Sequence, residues 1–208
     1  MDRFAGNIAG LGTASGTRLV IGRWDTSPLG AFTDVMMEDA NGERTLLAPS
    51  QAVADYVSST YSFDVVRVVD VDSTLDDRQL TVTAGGLAVT AQLGAVTGLG
   101  RMLRLIPARL ATSPRWLSLI NPVAGLLMPG VSTAGSAGNG RTEYYGVTTA
   151  VKIYYGVTTA VKITAASVRW HGKDLGILAP LTPPVRFGFS SAPAAPMLVT
   201  VVTSIRRP

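Results

Sequence analysis

Period-two alternation of apolar and polar residues, cut at short intervals by glycine and proline turns, runs through most of these 208 residues and leaves few windows for an amphipathic helix. Thr17 to Trp24 (TRLVIGRW) reads as a strand, and Ser27-Pro28-Leu29-Gly30 turns the chain into another at Ala31 to Met37. Asn41-Gly42 then separates AFTDVMMED from ERTLLAP, a strong hairpin signal because both turn positions need positive φ. Gly85-Gly86 divides QLTVTAGGLAVTAQL in the same way. Ser50 caps a short helix over about 50–60, with Val53, Val57 and Tyr56 on one face, and Val65 to Val71 reads as a strand. In Gly98 to Ile120, Leu, Met and Ile fall at helical spacings, and Pro107 and Pro114 break the segment into two short helices near 100–120. ITAASVRW, a turn at HGKD, LGIL, VRFGF and MLVTVVTSI complete the strands, between breaks at Pro180, Pro183, Pro184, Pro193 and Pro196. The expectation is one α+β domain over 1–208, its sheet mostly antiparallel.

Charged residues make up only 15% of the chain, against roughly 25% in an average soluble protein, and mean hydropathy is +0.29. Even so, Trp116 to Met128, the longest apolar stretch, is shorter than the roughly 20 residues of a membrane-spanning helix and contains Pro122. The N-terminus lacks the charged and apolar regions of a secretory signal, and a cytoplasmic location is expected. Without cysteine there is no disulfide, thiolate nucleophile or Cys-ligated metal, and the single histidine, His171, removes two-histidine metal motifs. No cofactor or metal is expected: GxGxxG and P-loop spacings are absent, as is a G-x-S-x-G elbow. His171 itself reads as an exposed turn residue.

Charge is divided along the chain. Residues 1–77 carry twelve acids and five basic residues (net −7), whereas 78–208 carry two acids and thirteen basic residues (net +11). Between Asp77 and Glu143 there is no acid, but there are six arginines: Arg78, Arg101, Arg104, Arg109, Arg115 and Arg141. This arm either docks on the acidic first third or meets an anionic surface such as a membrane periphery. Nucleic acid is not expected as a partner, because no basic stripe is interleaved with aromatics. Homo-oligomerisation is left open.

Residues 132–140 (STAGSAGNG) are small and read as a loop or lid. After them YYGVTTAVKI occurs twice in succession, at Tyr144–Ile153 and Tyr154–Ile163. Two copies are too few for a solenoid. They compete for one structural role, and because ten is even, a strand lengthened by one copy keeps its faces and is absorbed as a longer hairpin or a bulge. Just before the repeat, Arg141 and Glu143 in GNGRTEYYG form either the charged rim of a pocket or a salt-bridged strand start.

Two segments carry a resemblance. SPLGAFTD (Ser27 to Asp34) resembles the glycine-leucine-glycine-aromatic-Thr-Glu segment of the acetoacetate decarboxylase family, and GRTEYYGVTT (Gly140 to Thr149) is similar to its Gly-Arg-Glu…aromatic-Pro-Lys-Lys segment. The resemblance implies a strongly curved or barrel-like sheet around an apolar cavity. It places Asp34 where the family has its active-site glutamate and Arg141 where it has the arginine that meets the substrate carboxylate. Thr149 and Ala150 stand in place of the family's two lysines, and Lys152 and Lys162 are out of register. The site expected is Asp34 and Glu143 as catalytic acid–base groups, with Arg141 and Tyr145 as substrate-binding residues for a small carboxylate or ketone. The alternative is a non-catalytic binding protein for a hydrophobic acid, a lipid or a protein partner.

Overall fold

The computed structural model describes residues 2–98, 101, 134–137, 151–185, 187 and 194–206. Among them the chain forms β1 (Asp2–Thr13), β2 (Arg18–Thr26), β3 (Phe32–Glu38), β4 (Arg44–Ala48), α1 (Gln51–Ser58), β5 (Val65–Val68), β6 (Val71–Leu75), β7 (Gln79–Ala84), β8 (Leu87–Val96), β9 (Ala134–Ala137), β10 (Val151–Trp170), β11 (Lys173–Asp174), β12 (Leu178–Ala179) and β13 (Met197–Arg206). The strands join one sheet in the order β5-β4-β3-β2-β1-β13-β10-β8-β7-β6, with β9 and β11 added to β10 and β12 to β1.

The two ends of that path, β5 and β6, are consecutive in sequence, and only Val69 and Asp70 lie between them. The three Cα steps from Val68 to Val71 span at most about 11 Å, so the sheet has to curl until its ends approach. It forms a strongly curled, open half-barrel, and across the interior Thr33 on β3 and Ser73 on β6 bring their hydroxyl oxygens within 2.7 Å. Orientation is mixed: β4 and β5 run parallel on either side of α1, and the other described pairs are antiparallel. The sheet is thus mixed by a single parallel pair, and α1 is the one full helix among the described residues. Apart from Arg101, the segment near 100–120 lies outside them.

Side-chain parity separates two layers. Ala9 and Leu11, Leu19 and Ile21, Val35 and Met37, Leu80 and Val82, Val89 and Ala91, and Leu198 meet inside the curl as one aliphatic core. The alternate residues face the other way, where Leu46, Ala48, Val53, Ala54 and Val57 pack α1 onto the sheet, and Leu181, Val185 and Phe187 cover Val20. Burying a Leu or Ile side chain contributes about 1.5–3 kcal/mol. A one-residue slip in a central strand would exchange the two layers, and this fixes the register. Ser50 caps α1 as expected, its hydroxyl accepting from the Val53 amide at 3.3 Å.

Strand positions differ from the sequence expectation at four places, one of them β9, which lies within residues 132–140 that read as a loop and pairs with β10. The first residues carry Gly6, Gly10 and Gly12 and show no clean alternation, yet they form the long central strand β1, paired to β2 and β13. At Gly6 an added Cβ would strike the Arg23 carbonyl, and at Gly12 the Pro180 carbonyl, so these glycines serve close backbone approach. Val65 to Val71 is interrupted at Val69-Asp70, where the Val69 amide donates to the Ala48 carbonyl at 2.9 Å. In VRFGF, Val185 and Phe187 lie outside any strand and serve as buried anchors. Strand β10 takes in the end of the first decapeptide copy and all of the second; it pairs with β13 from Lys152↔Arg206 to Lys162↔Met197, with an irregularity between Val157 and Thr159.

Candidate functional site

Strands β2 and β3 form a hairpin about Ser27–Gly30, in which Trp24 lies opposite Phe32 and Gly22 opposite Asp34. Asp34 shares its face with Phe32, Met36 and Glu38, the face turned away from the enclosed aliphatic core. It is only 4% exposed. Its Oδ1 accepts a hydrogen bond from the Trp24 indole Nε1 at 3.1 Å. Gly22 makes room for this pair, since a Cβ at that position would lie 2.7 Å from both Asp34 Oδ1 and Trp24 Nε1.

The indole partner itself belongs to an aromatic cluster. Phe4 stands edge-on to Trp24 at 5.5 Å and to Phe32 at 6.4 Å and meets Tyr56 of α1 at 5.2 Å. Val201 and Ile205 of β13 close the same cluster. The Tyr56 hydroxyl donates to the Asp2 carboxylate at 2.8 Å. Removal from water is the dominant influence on Asp34 and pushes its carboxyl up to about 7; the indole bond works in the opposite direction and is weaker. A carboxyl poised there exchanges its proton near neutral pH, which an acid–base group requires.

The same face holds a second buried charge, ion-paired through its terminal nitrogens while its Nε has no hydrogen-bond partner. Arg18 donates to Glu38 Oε1 at 3.0 Å, to the Asp39 carbonyl at 3.2 Å and to the Pro183 carbonyl at 2.7 Å, and so ties the segment after β12 to the sheet. Its role is structural.

Of the residues expected from the sequence to form the site, Asp34 alone is described. Arg141, Glu143 and Tyr145 lie outside the described residues, as do Thr149 and Ala150. Lys152 and Lys162 are both on β10, and the Lys162 side chain is exposed. His171 is an exposed turn residue at φ 48°, its ring against Trp170. Sequence reading missed Trp24 and Gly22, although counting outward from the turn at Ser27–Gly30 puts Gly22 opposite Asp34. Phe4 and Tyr56 come from distant parts of the chain and left no local signal.

The charge division has a local side. The described ion pairs, Arg18–Glu38, Arg23–Asp25 and Arg44–Asp64, all lie within the first 77 residues. Of the arginines from Arg78 to Arg141, Arg78 and Arg101 are described and both are exposed. No group of metal-ligating side chains occurs among the described residues, and no described helix is long and apolar enough to cross a membrane.

No family model and no curated protein matches the chain. Among solved structures it is similar to the acetoacetate decarboxylase of Legionella pneumophila subsp. pneumophila str. Philadelphia 1, at 10% identity and a TM-score of 0.47, covering 99% of this chain and 85% of that one. It is also similar to a second acetoacetate decarboxylase structure, at 9% identity and a TM-score of 0.44, covering 99% and 86%.

Proposed function

We propose that the chain binds a small, partly apolar ketone or carboxylate against Asp34 and uses that carboxyl as its proton-active group. The observation that carries this reading is a buried carboxyl raised to about 7 and hydrogen-bonded to Trp24, whose indole belongs to a cluster with Phe4, Phe32 and Tyr56. In its protonated form Asp34 donates a hydrogen bond to a carbonyl or carboxylate oxygen; ionised, it repels a carboxylate and offers a base. The aromatic side chains suit an alkyl body. Arg141 as anion anchor, Tyr145 as a further contact and Glu143 as a second acid–base group remain part of the proposal.

The test is titration with a short-chain methyl ketone, followed through indole fluorescence, at pH 5.5 and pH 8.5. Affinity is expected to fall as pH rises through about 7, with the pH dependence lost in Asp34→Asn. Equal affinity at both pH values in the unmodified chain sinks the reading. Borohydride treatment with a keto acid then separates the two classes: an adduct on Lys152 or Lys162 supports imine chemistry, and binding without an adduct supports a carrier.

A further inference from the structure

We infer that the link between α1 and β5, residues 59–64, is the lid of the Asp34 site, and that the Tyr61 ring is the part a ligand has to displace. The inference rests on the reading of Asp34 given above and adds how that carboxyl is reached. Asp34 is only 4% exposed, so exchange of its proton with a ligand requires an opening. Its neighbours on the face turned away from the enclosed core define where that opening is. Phe32 and Met36 flank it two residues away on β3, on the same face of the strand. Gly22 stands opposite Asp34 and Ile8 opposite Gly22, which carries the ring of neighbours across β2 to β1. Trp24 completes it through the bond to Oδ1. These four side chains join three clusters that meet around the carboxyl. Trp24, Phe32 and Ile8 pack on the Phe4 cluster, Phe32 and Met36 on the cluster beneath α1, and Ile8 and Met36 on the Phe187 cluster. Tyr61 alone among the described side chains packs against all three. A ring common to the three sits over their junction, where Asp34 lies.

The local structure also decides which piece moves. Phe32, Met36, Trp24 and Ile8 stand on strands held by ladder hydrogen bonds, and the segment before Phe187 is tied down by Arg18 through the Pro183 carbonyl. Tyr61, Ser62 and Phe63 belong to no helix or strand and are half-buried. The link is pinned at both ends. Behind it the Thr60 and Tyr61 amides donate to the Val57 carbonyl at 3.0 and 2.9 Å; ahead of it the Asp64 carboxylate accepts from Arg44 Nε and Nη2 at 2.9 and 2.7 Å. Between the pins the Ser62 amide donates to the Phe187 carbonyl at 2.7 Å, and the Phe63 and Phe187 rings meet at 5.7 Å. A short irregular link fixed at its ends and resting on aromatic contacts opens locally while the sheet beneath it stays folded.

The test that needs no ligand is carbodiimide coupling of glycinamide to the full chain, with Asp34 and Glu38 followed by peptide mass spectrometry. Glu38, buried on the same face and paired to Arg18, reports general loosening. Tyr61→Ala should speed coupling at Asp34 about tenfold or more with Glu38 unchanged, and Tyr61→Phe, which keeps the ring, should stay within about twofold of the unmodified chain. Tyr61→Leu keeps an apolar contact with the three clusters and is scored by the same comparison, so an alanine variant that fails to fold does not decide the matter. No acceleration at Asp34 in a folded truncation, or equal acceleration at Glu38, overturns the inference. Stopped-flow mixing with the methyl ketone separates the lid from the reading it rests on. Tyr61→Ala should raise the association and dissociation rates together, each about tenfold. Ketone binding at rates indifferent to Tyr61 overturns the lid and leaves the reading of Asp34 intact. Absence of ketone binding, with coupling responding as expected, sinks that reading and leaves Tyr61 as the cover of the carboxyl.

Discussion

Replacing Asp34 by Asn removes one ionisation from an otherwise unchanged shape, and the structure sets what that should do to stability. In the unfolded chain the carboxyl titrates at its ordinary 3.8, and in the folded chain at about 7. Between these values the folded state holds a proton that the unfolded state has released, so stability falls as pH rises, by about 1.4 kcal/mol per pH unit. Across the window of about three units the loss reaches about 4 kcal/mol, complete once pH passes the folded value. Asp64, held down to about 2 by Arg44, and Asp76, lowered by the Arg78 and Gln79 amides, act with the opposite sign and below pH 4. They leave the window from 4 to 7 to Asp34. Asn keeps an oxygen to accept from Trp24 and has no charge to desolvate. Urea unfolding of both chains at pH 5 and pH 8 should therefore show a gap in favour of Asp34→Asn that widens by about 2.5 kcal/mol toward pH 8, since the slope acts only from pH 5 to about 7. A gap of the same size at both pH values would refute the reasoning, because it would mean that burial does not bias the ionisation.

Three other perturbations follow from the same structure. Gly22→Ala puts a methyl 2.7 Å from both partners of the carboxyl–indole pair, and should destabilise by about 1–3 kcal/mol and alter the Trp24 emission; unchanged emission would show that the pair is not where it is described. Glu38→Gln leaves the Arg18 guanidinium buried without its counter-charge and should lower stability by about 3–5 kcal/mol in denaturant unfolding, with less than about 1 kcal/mol counting against a buried ion pair. Gly42 and Gly86 both hold positive φ, but an added Cβ meets nothing at Gly42 and lies 2.6 Å from the His171 ring at Gly86. Gly42→Ala should accordingly cost about 1–2 kcal/mol from backbone conformation alone and Gly86→Ala more, the excess disappearing in a double variant with His171→Ala; an excess that survives removal of the ring would exclude a steric cause.

The hairpins were legible because their turns depend on local chemistry. Gly42, Gly85 and Gly86 all occupy positive φ, and the alternation on either side fixes which residues face the core. Helix α1 was equally local, since Ser50 is both its cap and its sequence signal. Strand β1 was not legible, because its glycines serve the approach of neighbouring backbones rather than any periodicity of their own. The parallel pairing of β4 with β5 was hidden too: it depends on α1 carrying the chain across, while the residues of β5 look like those of any short strand. For the site, the motif around Ser27 to Asp34 led to the carboxyl, but the two-layer packing decides which face it occupies. The row Thr33, Arg23, Asn7, Thr200 and Thr159 is more distant still from local sequence, because these residues become neighbours only when five strands take their register.

Direct titration of the Asp34 carboxyl carbon by carbon-13 NMR, with Asp34→Asn to assign the resonance, bears on the functional site without passing through stability or binding. A midpoint near 7 is predicted for the buried, indole-bonded carboxyl. A midpoint near its ordinary 3.8 would mean that Asp34 stays ionised at neutral pH, and would contradict its proposed role as a proton-active group.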